Sequence, residues 1–173
     1  GAPAAVHLAD KGYSRPLVIG SHSSFPGATE RRHAFVGTML DKGIPMSAQE
    51  LFYVDNSVEG GYRFAAENLP LFQEKGVDSF FCDSDAIALG MQSAFTAKGI
   101  AIPEQFGIIA VGNGEPQYAK YSSPSLSVID IPMQQMAAAC CRLLETALAR
   151  QGERSKKELY FKTELIARES TTR

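Results

Sequence analysis

The chain has few of the residues that build cross-links or metal sites. Its 173 residues include three cysteines, three histidines and no tryptophan. Cys82 lies in an apolar run, while Cys140 and Cys141 are adjacent, so no pair has zinc-ligand spacing or an evident disulfide partner. We therefore predict three free, buried thiols and expect neither a metal nor a cofactor.

The chain also lacks a surplus of positive charge and any long apolar run. Seventeen Lys and Arg residues against nineteen Asp and Glu give a net charge of -2, with no basic stripe of the kind that binds nucleic acid. No apolar run approaches the ~20 residues needed to cross a bilayer, and the N-terminus lacks the pattern of a signal peptide. We expect a cytoplasmic protein without a membrane partner, although a start at Gly1 rather than Met indicates a processed chain or a fragment.

The common enzyme motifs are missing as well. The sequence has no Gly-x-Gly-x-x-Gly after a predicted strand, no phosphate-binding Gly-Lys-Ser/Thr, no Gly-x-Ser-x-Gly and no His-Glu-x-x-His. Asp83 and Asp85 could form an acid/base or metal site, but two carboxylates at a helix start are also explained by the helix dipole. We therefore expect no catalytic residues.

Apolar runs alternate with helical patterns, which predicts an α/β fold. Strands are expected to begin near residues 16, 51, 79 and 106, each separated by a helix, as in right-handed βαβ units with a parallel sheet. The helix after the first strand is placed at Glu30–Lys42, with Thr29 as its possible N-cap. A fifth strand follows at 125–129, then a helix at Pro132–Arg150 with two apolar stripes, and one or two closing strands in 159–167.

In a parallel sheet the loops after the strands open on one edge, and this edge binds ligands. Those loops are rich in hydroxyls, amides and carboxylates, and they are residues 21–29, 55–57, 83–85 and 113–115. They suit a small polar ligand such as a sugar or sugar acid. The alternative is that Ser84, Asp85 and their counterparts simply cap helices.

Three side chains near the first loop are candidate ligand contacts. Phe25 could stack on a sugar ring, and His22 is a further possible contact. Arg31 lies one turn into the following helix, where its guanidinium could reach a carboxylate or a diol; a surface arginine is the simpler interpretation.

Several motifs occur in the order seen in the lactose-repressor (LacI/GalR) family of bacterial transcription regulators, which the chain resembles over almost its whole length. They are Leu8-Ala9-Asp10-Lys11-Gly12-Tyr13, Leu17-Val18-Ile19-Gly20, Arg31-Arg32-His33-Ala34-Phe35, Asp83-Ser84-Asp85-Ala86-Ile87-Ala88-Leu89-Gly90, Gly99-Ile100-Ala101-Ile102-Pro103-Glu104, Ile109-Ala110-Val111-Gly112, Pro124-Ser125-Leu126-Ser127-Val128 and Leu165-Ile166-Ala167-Arg168-Glu169-Ser170-Thr171. The loop Gly112-Asn113-Gly114-Glu115 is similar to that of the gluconate-repressor-like subgroup.

The resemblance implies a three-layer αβα lobe with a parallel sheet, of the type I periplasmic-binding-protein-like fold, whose N-terminal lobe is largely missing. Residues 1–124 would be the C-terminal lobe of an effector-binding domain, and residues 125–157 a crossover strand and helix of the N-terminal lobe. Residues 158–173 would return to the C-terminal lobe. The two apolar stripes of the 132–150 helix would pack on the missing lobe.

The implied function is to sense an effector, a sugar or sugar acid, and to couple its binding to operator affinity. The implied regulator is a homodimer that reads DNA only through an absent N-terminal helix-turn-helix. By position, Arg31, Ser84, Asn56 and Phe25 would contact the effector, and Asp85 would be a structural helix cap. The family's ligand-binding aspartate is replaced by Gly114, so that contact is lost unless Glu115 substitutes. A periplasmic-type sugar-binding receptor and a metabolic enzyme on a similar sheet remain the alternatives.

Overall fold

The computed structural model describes residues 1–22, 26–112, 116–149 and 158–172. Six helices and six strands follow one another in these ranges, with short 3-10 turns at Ala48–Glu50 and Glu169–Thr171. In chain order they are α1 (Ala2–Asp10), β1 (Pro16–Ser21), α2 (Pro26–Asp41), β2 (Leu51–Val54), α3 (Val58–Glu74), β3 (Ser79–Cys82), α4 (Asp85–Ala97), β4 (Gly107–Gly112), α5 (Pro116–Tyr121), β5 (Ser127–Asp130), α6 (Met133–Ala149) and β6 (Glu164–Ile166).

The strands form one sheet in the order β2-β1-β3-β4-β5-β6. The first five strands are parallel, and β6 runs antiparallel to β5. A hydrophobic core lies on each face of the sheet. Helices α1 and α2 pack on one face through residues such as Leu8 and Phe35. Helices α3 and α4 pack on the other face through residues such as Phe72 and Phe95. The predicted three-layer, mostly parallel α/β fold is confirmed.

Some predicted element boundaries are wrong. Helix α2 begins at Pro26 rather than Glu30, because proline fits the first turn of a helix, where its missing N–H is not needed. Thr29 is therefore inside the helix and does not cap it. Residues 159–167 contain one strand, β6, and residues 116–121, where no helix was predicted, form α5.

Helix α6 contacts the rest of the described chain very little. Ala139 is its one buried residue, whereas Met133, Leu144 and Leu148 are exposed. The prediction of buried thiols holds for Cys82 but is wrong for Cys140 and Cys141, which are exposed on this helix. The two adjacent cysteines lie on the side of α6 that no described element covers.

The C-terminal residues return to the sheet and are fixed there by hydroxyl groups. Ser170 Oγ donates to the carbonyl of Ile108 at 2.6 Å and accepts from the backbone N–H of Ser127 at 2.8 Å. Thr171 Oγ1 lies 2.7 Å from Ser127 Oγ and 2.8 Å from His7 Nε2. Both residues are fully buried, so the C-terminus is part of the folded lobe.

Helices α3 and α4 approach closely because each carries a glycine at the contact. A Cβ added at Gly90 would collide with the Val58 carbonyl and the Tyr62 N–H, and one added at Gly61 would collide with the Ile87 carbonyl. These neighbours are backbone atoms that cannot rotate away. The glycines thereby place the starts of both helices next to each other at the carboxyl edge of the sheet.

We expect Gly90→Ala to lower the free energy of unfolding by about 1–3 kcal/mol, because the two helices must separate to admit the methyl group. The matched control is Gly37→Ala in the middle of α2, where an added Cβ meets nothing within 4 Å. That change should stabilise the protein by about 0.5–1 kcal/mol, since alanine favours helix more than glycine does. Urea unfolding of both variants tests the pair, and equal effects would contradict the close packing of α3 and α4.

Candidate ligand-binding site

Three of the four predicted ligand-side loops meet at the carboxyl end of β3. Ser84 Oγ donates a hydrogen bond to Asn56 Oδ1 at 2.5 Å, which joins the loop after β3 to the loop after β2. Its neighbour Asp83 accepts a hydrogen bond through Oδ2 from the backbone N–H of Ser21 at 3.3 Å, which joins it to the end of β1. The predicted convergence of these loops is therefore present. The fourth loop lies outside the described residues, as do Phe25, Gly114 and Glu115.

The N-cap of α4 is Ser84, and the assignment of this role to Asp85 is wrong. Ser84 has extended backbone angles and its Oγ accepts from the Ile87 N–H at 3.4 Å. Asp85 is the first helical residue, where its carboxylate complements the helix dipole and accepts from the Ala86 N–H at 3.0 Å. The Ser84 hydroxyl thus serves both the cap and Asn56, which leaves the amide nitrogen of the exposed Asn56 as a donor at this edge.

A buried ion pair between Arg32 and Asp83 lies beside these loops. Arg32 Nη1 donates to Asp83 Oδ2, and Arg32 Nη2 donates to Thr29 Oγ1 at 3.2 Å. The two charged side chains are 6% and 3% exposed, and each compensates the charge of the other away from solvent. Burial raises the pKa of Asp83, while the Arg32 guanidinium and the Ser21 N–H act to lower that pKa.

The sheet makes room for this pair at Gly20. Gly20 is registered with Tyr53 on the neighbouring strand, and Asp83 donates its N–H to the Ile19 carbonyl at 2.9 Å. A Cβ at Gly20 would lie 2.8 Å from Arg32 Nη1 and 3.2 Å from Asp83 Oδ2. The Arg32 guanidinium therefore packs directly over a sheet position that has no side chain.

An aromatic side chain, Tyr53, lies on the edge strand β2 beside Gly20 and contacts the Arg32 guanidinium. The Arg32 guanidinium carbon is 5.2 Å from the centre of the Tyr53 ring, within cation–π range. The His22 ring stacks on Tyr53 with centroids 5.9 Å apart and an angle of 25° between the planes. His22, a candidate ligand contact, thus stacks on a residue of the edge strand β2.

Arg31, the predicted ligand-binding arginine, is half-buried and lies next to Arg32 on α2. Its Nε is buried and has no hydrogen-bond partner within the described part of the chain. The ion pairs found among the described residues, Arg32–Asp83, Lys42–Asp10 and Arg63–Asp55, do not include it. The two neighbouring arginines therefore differ. Arg32 is buried and paired with Asp83, whereas the Arg31 Nε–H is a donor without an acceptor among the described residues.

Arg32 was not predicted as a site residue, and no partner was predicted for Asp83. The signal was present, because Arg32 precedes Phe35 by three residues and Met39 by seven, and these two side chains form the buried face of α2. An arginine on that face requires a buried acceptor, and Asp83 follows directly after the central strand β3.

The described ranges contain no group of three or more His, Cys, Asp or Glu residues arranged to hold a metal ion. None of the helices in those ranges is both long and apolar enough to span a bilayer.

A parallel sheet whose loops bring hydroxyl, amide and guanidinium groups to its carboxyl edge defines one lobe of a small-molecule-binding domain. The chain belongs to the periplasmic binding protein-like domain family, which it matches over residues 5–171. The solved structure of a LacI family transcription regulator from Clostridium acetobutylicum is 29% identical, with a TM-score of 0.88, over 96% of this chain and 61% of that one.

Two further proteins show the same similarity. The HTH-type transcriptional repressor PurR of Glaesserella parasuis is 29% identical over 98% of this chain and 50% of its own length. A LacI family transcriptional regulator from Enterococcus faecium, solved with bound ribose, shares the fold with a TM-score of 0.85 at 22% identity, over 98% of this chain and 60% of that one.

These comparisons confirm the resemblance to LacI-family regulators, and the relatives are transcriptional regulators rather than enzymes. The chain spans about half the length of the curated relatives it matches. The similarity to the gluconate-repressor-like subgroup stays a prediction.

Proposed function

We propose that this chain is the effector-sensing part of a LacI-type DNA-binding transcriptional regulator. A sugar or sugar acid binds at the carboxyl edge of the sheet and changes the affinity of the whole protein for its operator. The relatives support this role, since they are HTH-type regulators, and the similar Enterococcus faecium regulator was solved with ribose.

The observation that carries the proposal is the junction of the loops after β2 and β3 at the carboxyl edge of the sheet, with Arg31 next to the buried Arg32 on the helix that follows β1. Ser84 and Asn56 are hydrogen-bonded to each other, and the buried Nε of Arg31 has no partner among the described residues. Sugars and sugar acids present hydroxyl and carboxylate oxygens that accept from amide and guanidinium groups. Phe25, Gly114 and Glu115 are further candidate contacts by position.

The proposed mechanism is binding linkage without a chemical step, so the chain is not an enzyme. An effector that prefers one arrangement of the two lobes shifts the protein toward it, with a coupling of typically ~1–3 kcal/mol between effector and operator. The net charge of -2 gives these residues no DNA-binding surface, so operator contact is assigned to a helix-turn-helix outside them. We place the regulator in the cytoplasm as a homodimer.

The proposed division of the chain follows the same family pattern. Residues 1–124 form the C-terminal lobe, residues 125–157 belong to the N-terminal lobe, and residues 158–173 return to the C-terminal lobe. The exposure of α6, with Ala139 as its one buried residue, supports the middle assignment, since its apolar side chains are suited to packing on another lobe. A periplasmic-type sugar receptor would share these lobes, but the regulatory relatives do not favour it.

We expect Arg31→Ala in the full-length protein to weaken effector binding by roughly 10- to 100-fold, because charge-assisted hydrogen bonds contribute about 1.5–3 kcal/mol. Calorimetric titration with D-ribose and D-gluconate measures the change. The matched control is Arg15→Ala, because Arg15 binds the Lys75 carbonyl at the opposite edge of the sheet and should not affect binding. Unchanged affinity in Arg31→Ala, or an equal loss in both variants, would contradict the assignment of Arg31.

A further inference from the structure

Three side chains connect the C-terminal residues 168–172 to helix α1 and to the start of β5. His7 Nε2 lies 2.8 Å from Thr171 Oγ1, and Thr171 Oγ1 lies 2.7 Å from Ser127 Oγ. Ser127 Oγ in turn accepts from the backbone N–H of Arg168 at 2.8 Å. His7 is 9% exposed and Thr171 is fully buried, so these contacts lie inside the lobe. Residues 168–172 thus form a C-terminal latch, and His7 is the α1 side chain that hydrogen-bonds to it.

The surroundings of His7 favour its neutral form. The latch offers it the hydroxyl group of Thr171, which carries no charge. Burial and the nearby Lys11 ammonium lower the pKa of His7, and Asp10 acts in the opposite direction. Asp10 is exposed, and its carboxylate is paired with Lys42 on α2 at 3.0 Å. A proton on His7 therefore places a charge in a largely buried position where the acting acid, among the described residues, lies at the surface.

The charged side chains of the latch are engaged elsewhere. Arg168 donates through Nη1 to the Leu126 carbonyl. Glu169 accepts from the N–H and the hydroxyl of Ser125 at 2.8 and 2.9 Å. The side chain through which the latch hydrogen-bonds to His7 is thus uncharged Thr171.

An open cavity beside α1 gives the His7 ring access to water. The cavity has a volume of about 480 Å³ and is lined by residues of α1, His7 and Asp10 among them, by Lys11 and by Leu165 of β6. A ring that turns toward this cavity reaches solvent while the sheet stays intact.

We propose that His7 makes the C-terminal latch sensitive to pH: the neutral ring holds Thr171, and the protonated ring turns to the open cavity and releases the latch. This device does not rest on the proposed function. A charge in a buried position costs far more free energy than the same charge in water. The closed latch therefore binds the proton less tightly than the open one. The latch is fully closed above the ordinary His7 pKa of 6.5 and weakens as the pH falls below that value.

Amide hydrogen exchange of the 173-residue chain, followed by NMR from about pH 7.5 to 5.0, tests this device. The Ser170 N–H, which donates to the Ser125 carbonyl at 2.9 Å, reports on the latch. The Phe81 N–H in the central strand β3 reports on global unfolding. The protection factor of Ser170 divided by that of Phe81 should fall at least about threefold over this range. A constant ratio would overturn the proposal.

His7→Gln separates the ring from a second titrating group on the same side of the lobe. Burial and Arg31 lower the pKa of the Gly1 ammonium to about 6, so it also changes charge in this range. Glutamine can hydrogen-bond to Thr171 but does not titrate, so the ratio should vary by less than about 1.5-fold in His7→Gln. The matched control His33→Gln, at an exposed histidine of α2, should keep the wild-type pH dependence. If His7→Gln keeps it too, another group is responsible and the proposal is wrong.

The wild-type chain decides the question if His7→Gln does not fold. The native His7 ring should titrate, in its carbon-bound proton resonances, with a midpoint below 6.5. The exchange ratio should fall with decreasing pH only above that midpoint, because below it the closed and open latch bind the proton alike. A ring midpoint at or above 6.5, or a ratio that falls only below the ring midpoint, would contradict the device.

Discussion

Asp83→Ala lowers the free energy of unfolding by about 3–5 kcal/mol, because it leaves the buried guanidinium of Arg32 without a counter-charge. Arg32 is 6% exposed and cannot reach bulk water without leaving the face of α2 that packs on the sheet. The change also removes the acceptor of the Ser21 N–H at the end of β1. Urea or thermal unfolding of this chain measures the loss.

The control for Asp83→Ala is an exposed ion pair near the same edge. Asp55 pairs with Arg63 at 3.0 Å, and both side chains are more than half exposed. Asp55→Ala should therefore change stability by about 0–1 kcal/mol. If Asp83→Ala has an effect as small as that of Asp55→Ala, the Arg32–Asp83 pair is not the buried pair described above.

Phe80→Ala should lower the free energy of unfolding by about 3–5 kcal/mol, because it empties the centre of the core beneath α3 and α4. The Phe80 ring is fully buried and contacts Phe72, Phe95 and Phe106, with centroids 5.0, 5.5 and 5.4 Å apart. Rings in this arrangement lose both buried area and edge-to-face contacts when one of them is removed. Denaturant unfolding followed by far-UV circular dichroism measures the effect.

Tyr160→Ala provides the matched aromatic control. Tyr160 is 90% exposed, and within the described part of the chain its hydroxyl donates to the exposed Glu158. Its removal should change stability by no more than about 0.5 kcal/mol. A loss for Phe80→Ala below about 1 kcal/mol would show that the four rings do not form a single packed cluster.

The fold could be predicted from the sequence because its signals are local and repeated. The apolar runs near residues 16, 51, 79 and 106, each followed by a helical pattern, are sufficient to indicate parallel βαβ units. The same pattern indicates which loops share an edge, and the bond between Ser84 and Asn56 is consistent with that reasoning. The start of α2 was misplaced because Pro26 was interpreted as part of a loop rather than as the first turn of a helix.

The details of the site were less predictable because they depend on contacts between distant residues. Whether Ser84 or Asp85 caps α4 depends on one pair of backbone angles, and both residue types are good caps. The choice between Arg31 and Arg32 as partner of Asp83 depends on the rotation of α2 about its axis. Only the position of Arg32 relative to Phe35 and Met39 carried that information in the sequence.

The measurement that tests the central claim most directly is an amide chemical-shift titration of this chain with D-ribose and D-gluconate. The account predicts saturable shifts at His22, Asn56, Ser57, Ser84 and Ala86, which surround the proposed site. Amides at the opposite edge, such as Gly12, Gly76 and Gly99, should stay unchanged. Shifts confined to that opposite edge, or no saturable shift at the five predicted amides with either compound, would contradict the account.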